Sequence, residues 1–378
     1  MIEKITIENY KSIQLLELEL SRITILIGAN GSGKSNILES IALCSAASNN
    51  KLDNEFLTSR GIRVTDNPQF MRAAFEKQNV SKEIQISVSG NASSFSCNLQ
   101  KKNDEPYATW IDKGNLDKYE YAKEIVNKHG KDITPEQKNR IIQLISESFA
   151  RENAKSLKLE KFVIFSPEIH SLRTFEEEGQ IQPLGRNGEG LFKLLKVLSS
   201  EKNNQRLNQV KSKLKLIDWF SDFEISQNLS PQEKQIQIKD KYLDTKLEYF
   251  DQKSSNEGFL YLLFYLCLFV SNNTPKFFAI DNIDVSLNPK LCSQLMIELN
   301  SLAKRYKKQV IFTTHNPAIL DGLNLDDKNQ KLYVVYRNKL GQTKVNNIKK
   351  SQPVNGGEPI KLSESFLRGY LGGLPKNF

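Results

Sequence analysis

The chain has 378 residues, of which 39% are hydrophobic and 26% charged, with a formal net charge of +9. This length predicts about two domains, or one large domain with insertions, and the composition excludes fibrous and disordered classes. The longest apolar run, Phe259 to Val270, is too short to span a bilayer and predicts a buried helix. Cys44, Cys97, Cys267 and Cys292 show no C-x-x-C spacing. They are expected to be small core residues of a reducing cytoplasm, and three scattered histidines give no structural zinc site. Met1-Ile2-Glu3-Lys4 leads straight into strand-like alternation rather than into a signal peptide.

Ile5-Thr6-Ile7 and Leu15 to Leu20 alternate like strands, and Ile23-Thr24-Ile25-Leu26-Ile27 reads as a buried strand. It runs into Gly28-Ala29-Asn30-Gly31-Ser32-Gly33-Lys34-Ser35, the full G-x-x-x-x-G-K-S pattern, and then into a helical stretch, Asn36 to Leu43. Strand, glycine loop and helix start are the arrangement that phosphate binding needs. The backbone N–H groups of Asn30, Gly31, Ser32 and Gly33 can wrap phosphates at a helix N-terminus. Lys34 is placed to reach the β- and γ-phosphates, and the Ser35 hydroxyl to ligate Mg²⁺.

Residues 83–88 and 95–99 alternate again and predict antiparallel strands beside the nucleotide site. From about 103 to 160 the chain turns polar, with helix-compatible stretches at Lys118 to Lys128 and Thr134 to Lys155. This predicts an inserted helical arm or lid, too poor in heptads for a long coiled coil. The core pattern returns at Phe162-Val163-Ile164-Phe165. A glycine-broken loop (185–190), a helix from Leu191 to Leu198, a polar helix over about 202–220, and a hairpin of Gln235 to Lys239 with Tyr242 to Phe250 complete the middle.

Ser254-Ser255-Asn256-Glu257-Gly258 precedes the apolar helix. A polar, glycine-containing turn at a helix start suits an anion, although Ser254 with Glu257 also fits an ordinary capping box. Phe277-Phe278-Ala279-Ile280-Asp281 is an apolar strand ending in an acid, the Walker B pattern, whose carboxylate can hold Mg²⁺ opposite Ser35. Val310 to Pro317 is another apolar strand, ending at His315, which can donate a hydrogen bond to a γ-phosphate or its attacking water.

The positive charge is uneven. Lys331 to Lys350 holds six basic residues and no acid, Lys304-Arg305-Tyr306-Lys307-Lys308 is a second run, and Glu201 to Lys215 has five basic residues against one acid. Solvated helix faces and strand edges explain such runs; contact with a nucleic-acid backbone is the other reading.

In this order, the motifs resemble the ABC-type ATPase heads of the RecF/SMC-like group. The opening Ile7-Glu8-Asn9-Tyr10-Lys11-Ser12-Ile13 looks like that group's first strand and turn. The compact AAA15/AAA21-type (OLD-like) bacterial ATPases of phage-defence operons resemble the chain most, with a lean to the Septu type. The resemblance implies an α/β fold, a P-loop head with a mixed sheet and an antiparallel β-subdomain. Residues 1–102 would be the head's N-terminal part, 103–160 the inserted helical arm, and 161–378 the C-terminal part. It also implies ATP and Mg²⁺ as cofactors and a head-to-head homo-oligomer. Ser255 and Gly258 would contact the γ-phosphate held by the other subunit's Lys34, with Val285 to Pro289 as the crossing loop and Gln69 as the Q-loop glutamine near Mg²⁺. Further implications are a cytoplasmic protein away from the membrane, a separate effector nuclease of the HNH kind, and DNA as a partner through the basic runs. Leu367 to Pro375 looks like a family tail.

The chain departs from that group after Asp281, where a glutamate that activates water is usual and Asn282 stands instead. An amide cannot take a proton as a carboxylate does. Asp284, two residues on, is the candidate substitute. The expectation is firm ATP binding with slow hydrolysis, in an ATPase subunit that senses infection or nucleic acid and controls the effector. A RecF/SMC-like repair ATPase that binds DNA directly is the alternative. A transporter subunit fits poorly because the Ser/Gly turn lacks the LSGGQ form, and a small-molecule kinase would not need that turn or the strand-end histidine.

Overall fold

The computed structural model describes residues 1–65, 68–72, 82–101, 110–113, 116–129, 134–176, 181–225, 234–244, 246–349 and 360–374. Parts of the arm segment (103–109, 114–115 and 130–133), Lys350 of the basic run and Pro375 of the tail motif lie outside them. In chain order the elements are β1 (Lys4–Tyr10), β2 (Ile13–Glu19), β3 (Ile23–Ile27), α1 (Lys34–Ser48), α2 (Asn54–Ser59), β4 (Ile84–Gly90), β5 (Ser93–Lys101), β6 (Trp110–Asp112), α3 (Leu116–His129), α4 (Pro135–Ser156) and β7 (Ile164–Phe165). Then follow α5 (Ile169–Thr174), α6 (Leu191–Ser199), α7 (Gln205–Leu214), β8 (Phe220–Ile225), β9 (Ile236–Asp240), β10 (Phe250–Asp251), α8 (Glu257–Val270), β11 (Phe277–Ile280), α9 (Pro289–Tyr306), β12 (Gln309–Thr314), β13 (Gln330–Arg337), β14 (Thr343–Ile348) and α10 (Leu362–Leu367). They group into two compact units, one of residues 1–21, 29–163 and 335–347, the other of 22–28, 164–334 and 348–378.

The first unit is built on an antiparallel sheet of order β2-β1-β4-β5-β6. Ile7 stands opposite Leu16 on one side and Ile86 on the other. Ile5, Ile7, Ile84, Ile86 and Val88 point to the buried face while Glu8, Gln85 and Ser87 do not, the period-two pattern of a half-covered sheet. Helix α1 covers that sheet and is buried along nearly its whole length, packed against β1, β4, β5 and α4. Helices α3 and α4 pack on each other through Ala122, Val126 and Ile142. Thr134 and Gln137 close a reciprocal capping box at the start of α4. The end of β13 (335–337) and β14 to Asn347 belong to this unit, joined by a turn in which Asn338 Oδ1 accepts from the Leu340 and Gln342 N–H groups.

The second unit carries a parallel sheet of order β13-β3-β12-β11-β7. Its central strands β3, β11 and β12 are buried at every position, as expected where helices cover both faces. Register aligns the strand ends: Ile27 of β3 pairs with Thr314 of β12, and Ile280 of β11 pairs with Phe312 and Phe165. The chain therefore leaves β11, β12 and β3 at the same edge of the sheet. Helix α8 lies fully buried from Phe259 to Val270, as its apolar run requires, and packs against α5, α6, α7 and α9. Among the described residues no helix is long and apolar enough to cross a membrane.

Several local expectations need correction. The polar helix ends at Leu214 rather than near 220, and Phe220 begins strand β8. That strand, not the Tyr242 stretch, is the main partner of β9; of the second expected strand only its last residue, Phe250, pairs with it, followed by Asp251 just beyond. Phe220, Phe223, Ile236 and Ile238 alternate inward, whereas Tyr242 is 80% exposed in a turn, so burial chose the partner. The strand at Phe162 to Phe165 shrinks to Ile164 and Phe165. All four cysteines are buried and none is in a disulfide.

Candidate nucleotide site

In the first unit the glycine loop turns through left-handed conformations at Gly31 (φ 73°) and Gly33 (φ 109°), which a side chain would strain. At Gly33 there is also no room, because a Cβ would collide with the Thr343 side chain. Thr343 holds the loop from β14: its hydroxyl donates to the Ser32 carbonyl at 3.0 Å. Arg337 Nε donates to the Gly31 carbonyl at 2.8 Å. Asn30 and Gly31 are exposed at the loop tip, Ser35 is half-buried, and Lys34 is 5% exposed with Nζ donating to the Ala29 carbonyl at 3.0 Å. Helix α1 starts at Lys34 with no capping side chain and no acid in its first turn, and the buried Ser32 hydroxyl has no partner. An uncapped positive helix end, a buried lysine and an orphaned hydroxyl fit a bound phosphate chain.

Behind the loop lies a polar network that no local sequence pattern announces. Glu39 of α1 is 2% exposed and accepts from Tyr10 Oη, Lys11 Nζ and Arg63 Nε. Arg63 also donates to Asn36 Oδ1 (3.0 Å), Asn36 Nδ2 to Ser12 Oγ (2.7 Å), and Ser12 Oγ meets Thr343 Oγ1 at 2.7 Å. Burial lowers the Lys11 ammonium pKa against the pull of Glu39, and burial with the adjacent Glu39 charge raises the Tyr10 phenol. Lys11 and Ser12 sit in the opening motif; Arg63, Glu39 and Thr343 have no comparable signal. Gln69 falls in the 3₁₀ turn Pro68–Met71 of this unit.

In the second unit the strand ends gather the acids. Thr313 Oγ1 donates to Asp281 Oδ1 and accepts from the Asn282 N–H at 2.9 Å. Asn282 has φ 53°, a left-handed conformation that asparagine tolerates better than most residues. Residues 281–284 are therefore not extended, since β11 ends at Ile280. The turn brings Asp284 against β12, where its carboxylate accepts from Thr314 Oγ1 at 2.5 Å, beside the exposed His315. Asp281, Asn282, Asp284 and His315 thus share one edge of the parallel sheet, where ligands of such sheets bind. Below them the Tyr265 hydroxyl is buried without a partner, its pKa raised by burial first and by Tyr261, Asp284 and Cys292 next.

The Ser/Gly turn differs from the expected capping box. Asn256, not Ser254, caps α8, accepting from the Phe259 N–H at 2.9 Å. Ser254 bonds to Asp251 instead, and Glu257 accepts from Ser286 Oγ at 2.7 Å. Ser255 is 2% exposed, with Oγ 3.5 Å from the Asn256 carbonyl oxygen. A Cβ on Gly258 would come within 3.3 Å of the Ser286 carbonyl, so the Ser286 loop is fitted closely to this helix start. Among the described residues no group of three or more histidines, cysteines or acids could hold a metal ion by itself.

Residues 23–321 match the family model described as "AAA domain, putative AbiEii toxin, Type IV TA system". The chain belongs to this AAA family. No curated protein matches the sequence. Among solved structures, an Smc head bound to the C-winged helix domain of ScpA is similar to it at TM-score 0.53 and 15% identity, covering 92% of this chain and 97% of the other. An Smc head with an extended coiled coil, bound to a ScpA C-terminal domain derived from Pyrococcus furiosus, is similar at TM-score 0.50 and 13% identity, covering 92% and 96%. An SMC head from Thermotoga maritima gives 0.49 at 15%, covering 92% and 99%. At these identities the likeness to the first two is one of fold alone, the α/β fold of an Smc head.

Proposed function

We propose that this AAA ATPase works as an ATP-governed switch in a bacterial antiviral system. Two copies close on two ATP molecules, and the closed state controls a separate effector nuclease, with a Septu-type pairing to an HNH nuclease as the specific form. The family description names a toxin of a toxin–antitoxin system, which supports a defence role without identifying the effector. Within each copy, Lys34 and the Asn30–Gly33 backbone hold the phosphates. The motif reading gives Mg²⁺ to Ser35 and Asp281, with Gln69 in support; the ion would supply charge neutralisation between the phosphates. Ser255 and Gly258 face the γ-phosphate of the other copy, and His315 senses it.

The observation that carries the switch reading is Asn282. The residue that would accept a proton from water carries an amide side chain, on a backbone whose N–H donates to Thr313 Oγ1. ATP then acts chiefly as a ligand that favours one assembly state. The test is Mg²⁺-ATP binding and turnover by the purified chain. Tight binding with turnover far below one per second supports the reading; brisk turnover returns ordinary hydrolysis-driven cycling, with Asp284 as the base.

Direct DNA binding has less support in the basic runs. Lys308 of the second run is fully buried, Lys304 pairs with Asp327, and Arg337 donates to loop carbonyls. These side chains already have structural partners. A steep loss of duplex-DNA affinity with salt, in the absence of any partner protein, would favour the DNA-clamping alternative.

A further inference from the structure

A cavity of about 520 Å³ opens in the second unit beside the Ser/Gly turn. Phosphate contact explains only part of its lining. Asn256, Gly258, Ser286, Asn288 and Gln294 line it with polar groups, Lys290 is its cation, and its two acids are Asp218 and Glu257, the latter already accepting from Ser286 Oγ and lying 3.9 Å from Arg173. Its apolar and aromatic lining is Leu216, Ile217, Leu291 and Trp219. Trp219 is braced by Phe220, Phe250 and Phe259, with ring centroids 5.7 to 6.3 Å away, yet is only half-buried where it borders the cavity. A rigid indole kept partly in solvent forgoes burial that its neighbours Phe220 and Phe259 obtain completely.

Lys290 with the N–H-bearing Gly258 turn, and a braced aromatic ring, match the two ends of a nucleotide, an anionic chain that carries Mg²⁺ past the two acids and a flat base. The volume also lies within the usual range for a small-molecule site, roughly 300–1,000 Å³. We propose that the Trp219 wall of this cavity stacks on the base of the ATP held by a second copy, with Lys290 toward its phosphates. This rests on the reading that two copies share their nucleotides through the Ser/Gly turn. Trp219 then makes closure depend on a nucleoside, where the phosphate loop by itself distinguishes only phosphates.

The chain offers its own probe, because it has two tryptophans and the other belongs to the first unit. Trp110 is 5% exposed with the Arg72 guanidinium over its ring. In a Trp110→Phe background the emission of the full chain reports Trp219. Mg²⁺-ATP should quench it in step with dimer formation followed by light scattering, more strongly at higher protein concentration, and tripolyphosphate should not. Trp219→Ala should raise the protein concentration needed for the ATP dimer roughly a hundredfold, about tenfold for each of the two sites, while Trp219→Phe stays near wild type. ATP binding measured on dilute monomer should be unchanged in both. If the dimer forms with unaltered Trp219 emission and Trp219→Ala dimerises like wild type, the stacking is wrong and the shared-nucleotide reading stands. If ATP binds and no dimer forms at any concentration, that reading is wrong and the stacking falls with it.

Discussion

Asn282 combines a left-handed backbone, an N–H bonded to Thr313 and an amide where a carboxylate would serve hydrolysis. Exchange to glutamate replaces the amide by a carboxylate on a side chain one methylene longer. Asn282→Glu should raise ATP turnover by about 10²–10⁴-fold, the usual range for a positioned general base, with ATP affinity nearly unchanged. A phosphate-release assay beside a binding isotherm separates the two effects. Lowered melting temperature is expected too, since glutamate tolerates φ 53° less well. Thr343 tests the loop's support. Thr343→Val keeps the bulk that Gly33 packs on but loses the bond to the Ser32 carbonyl and the contact with Ser12. ATP affinity should fall roughly tenfold, the value of one well-placed hydrogen bond, as titration calorimetry would register. At this scale the contiguous motifs were legible: Gly28 to Ser35 and the strand-end Asp281 are recognisable because their chemistry needs neighbouring residues. The Glu39–Arg63–Asn36–Ser12–Thr343 chain was not, because it joins positions up to 331 apart with no spacing rule.

Whole elements were read well where burial alone dictated them. A twelve-residue apolar run had to be a buried helix, and α8 is one; four apolar residues and a threonine before a glycine loop had to be a core strand, and β3 is one. Elements whose partners lie far along the chain were read less well, as the β8–β9 pairing shows, since alternation identifies a strand but not its neighbour. Lys308 is the sharpest case. Next to three cations and a tyrosine it looks like surface charge, yet β12 draws it inside as the residue before its first strand position. Its ammonium faces the carbonyls of Ser271, Thr274 and Pro275 and the Thr274 hydroxyl. Burial, with Lys276 and Arg206 nearby, pushes its pKa down to about 6. The unfolded chain holds that proton up to the ordinary lysine range, so between pH 6 and 10 it binds more protons than the folded one. Stability relative to Lys308→Met should therefore rise as pH increases from 6 to 9. Paired thermal melts at pH 6, 7.5 and 9 read the difference; a constant gap would mean that the carbonyls keep the ammonium charged throughout.

At the scale of the whole molecule, each copy holds a phosphate loop in one compact unit and a Ser/Gly turn in the other. If one copy's loop serves the other's turn, a symmetric pair contains two composite sites, and each site needs one contribution from each chain. Lys34→Ala removes the loop contribution. Gly258→Glu spoils the turn by setting a carboxylate against phosphates; the helix start tolerates an acid, and the Ser286 carbonyl must yield by a few tenths of an ångström. Neither variant alone should form an ATP dimer. In their mixture, each mixed pair has one intact loop facing one intact turn, so one complete site, while the other site carries both defects. Random pairing makes about half of all pairs mixed, so an equimolar mixture should regain ATP-dependent dimer to at most that share. Analytical ultracentrifugation with one variant fluorescently labelled reads this directly. Sites made within a single copy predict something else: Lys34→Ala stays without ATP under all mixtures, and Gly258→Glu behaves the same alone or mixed.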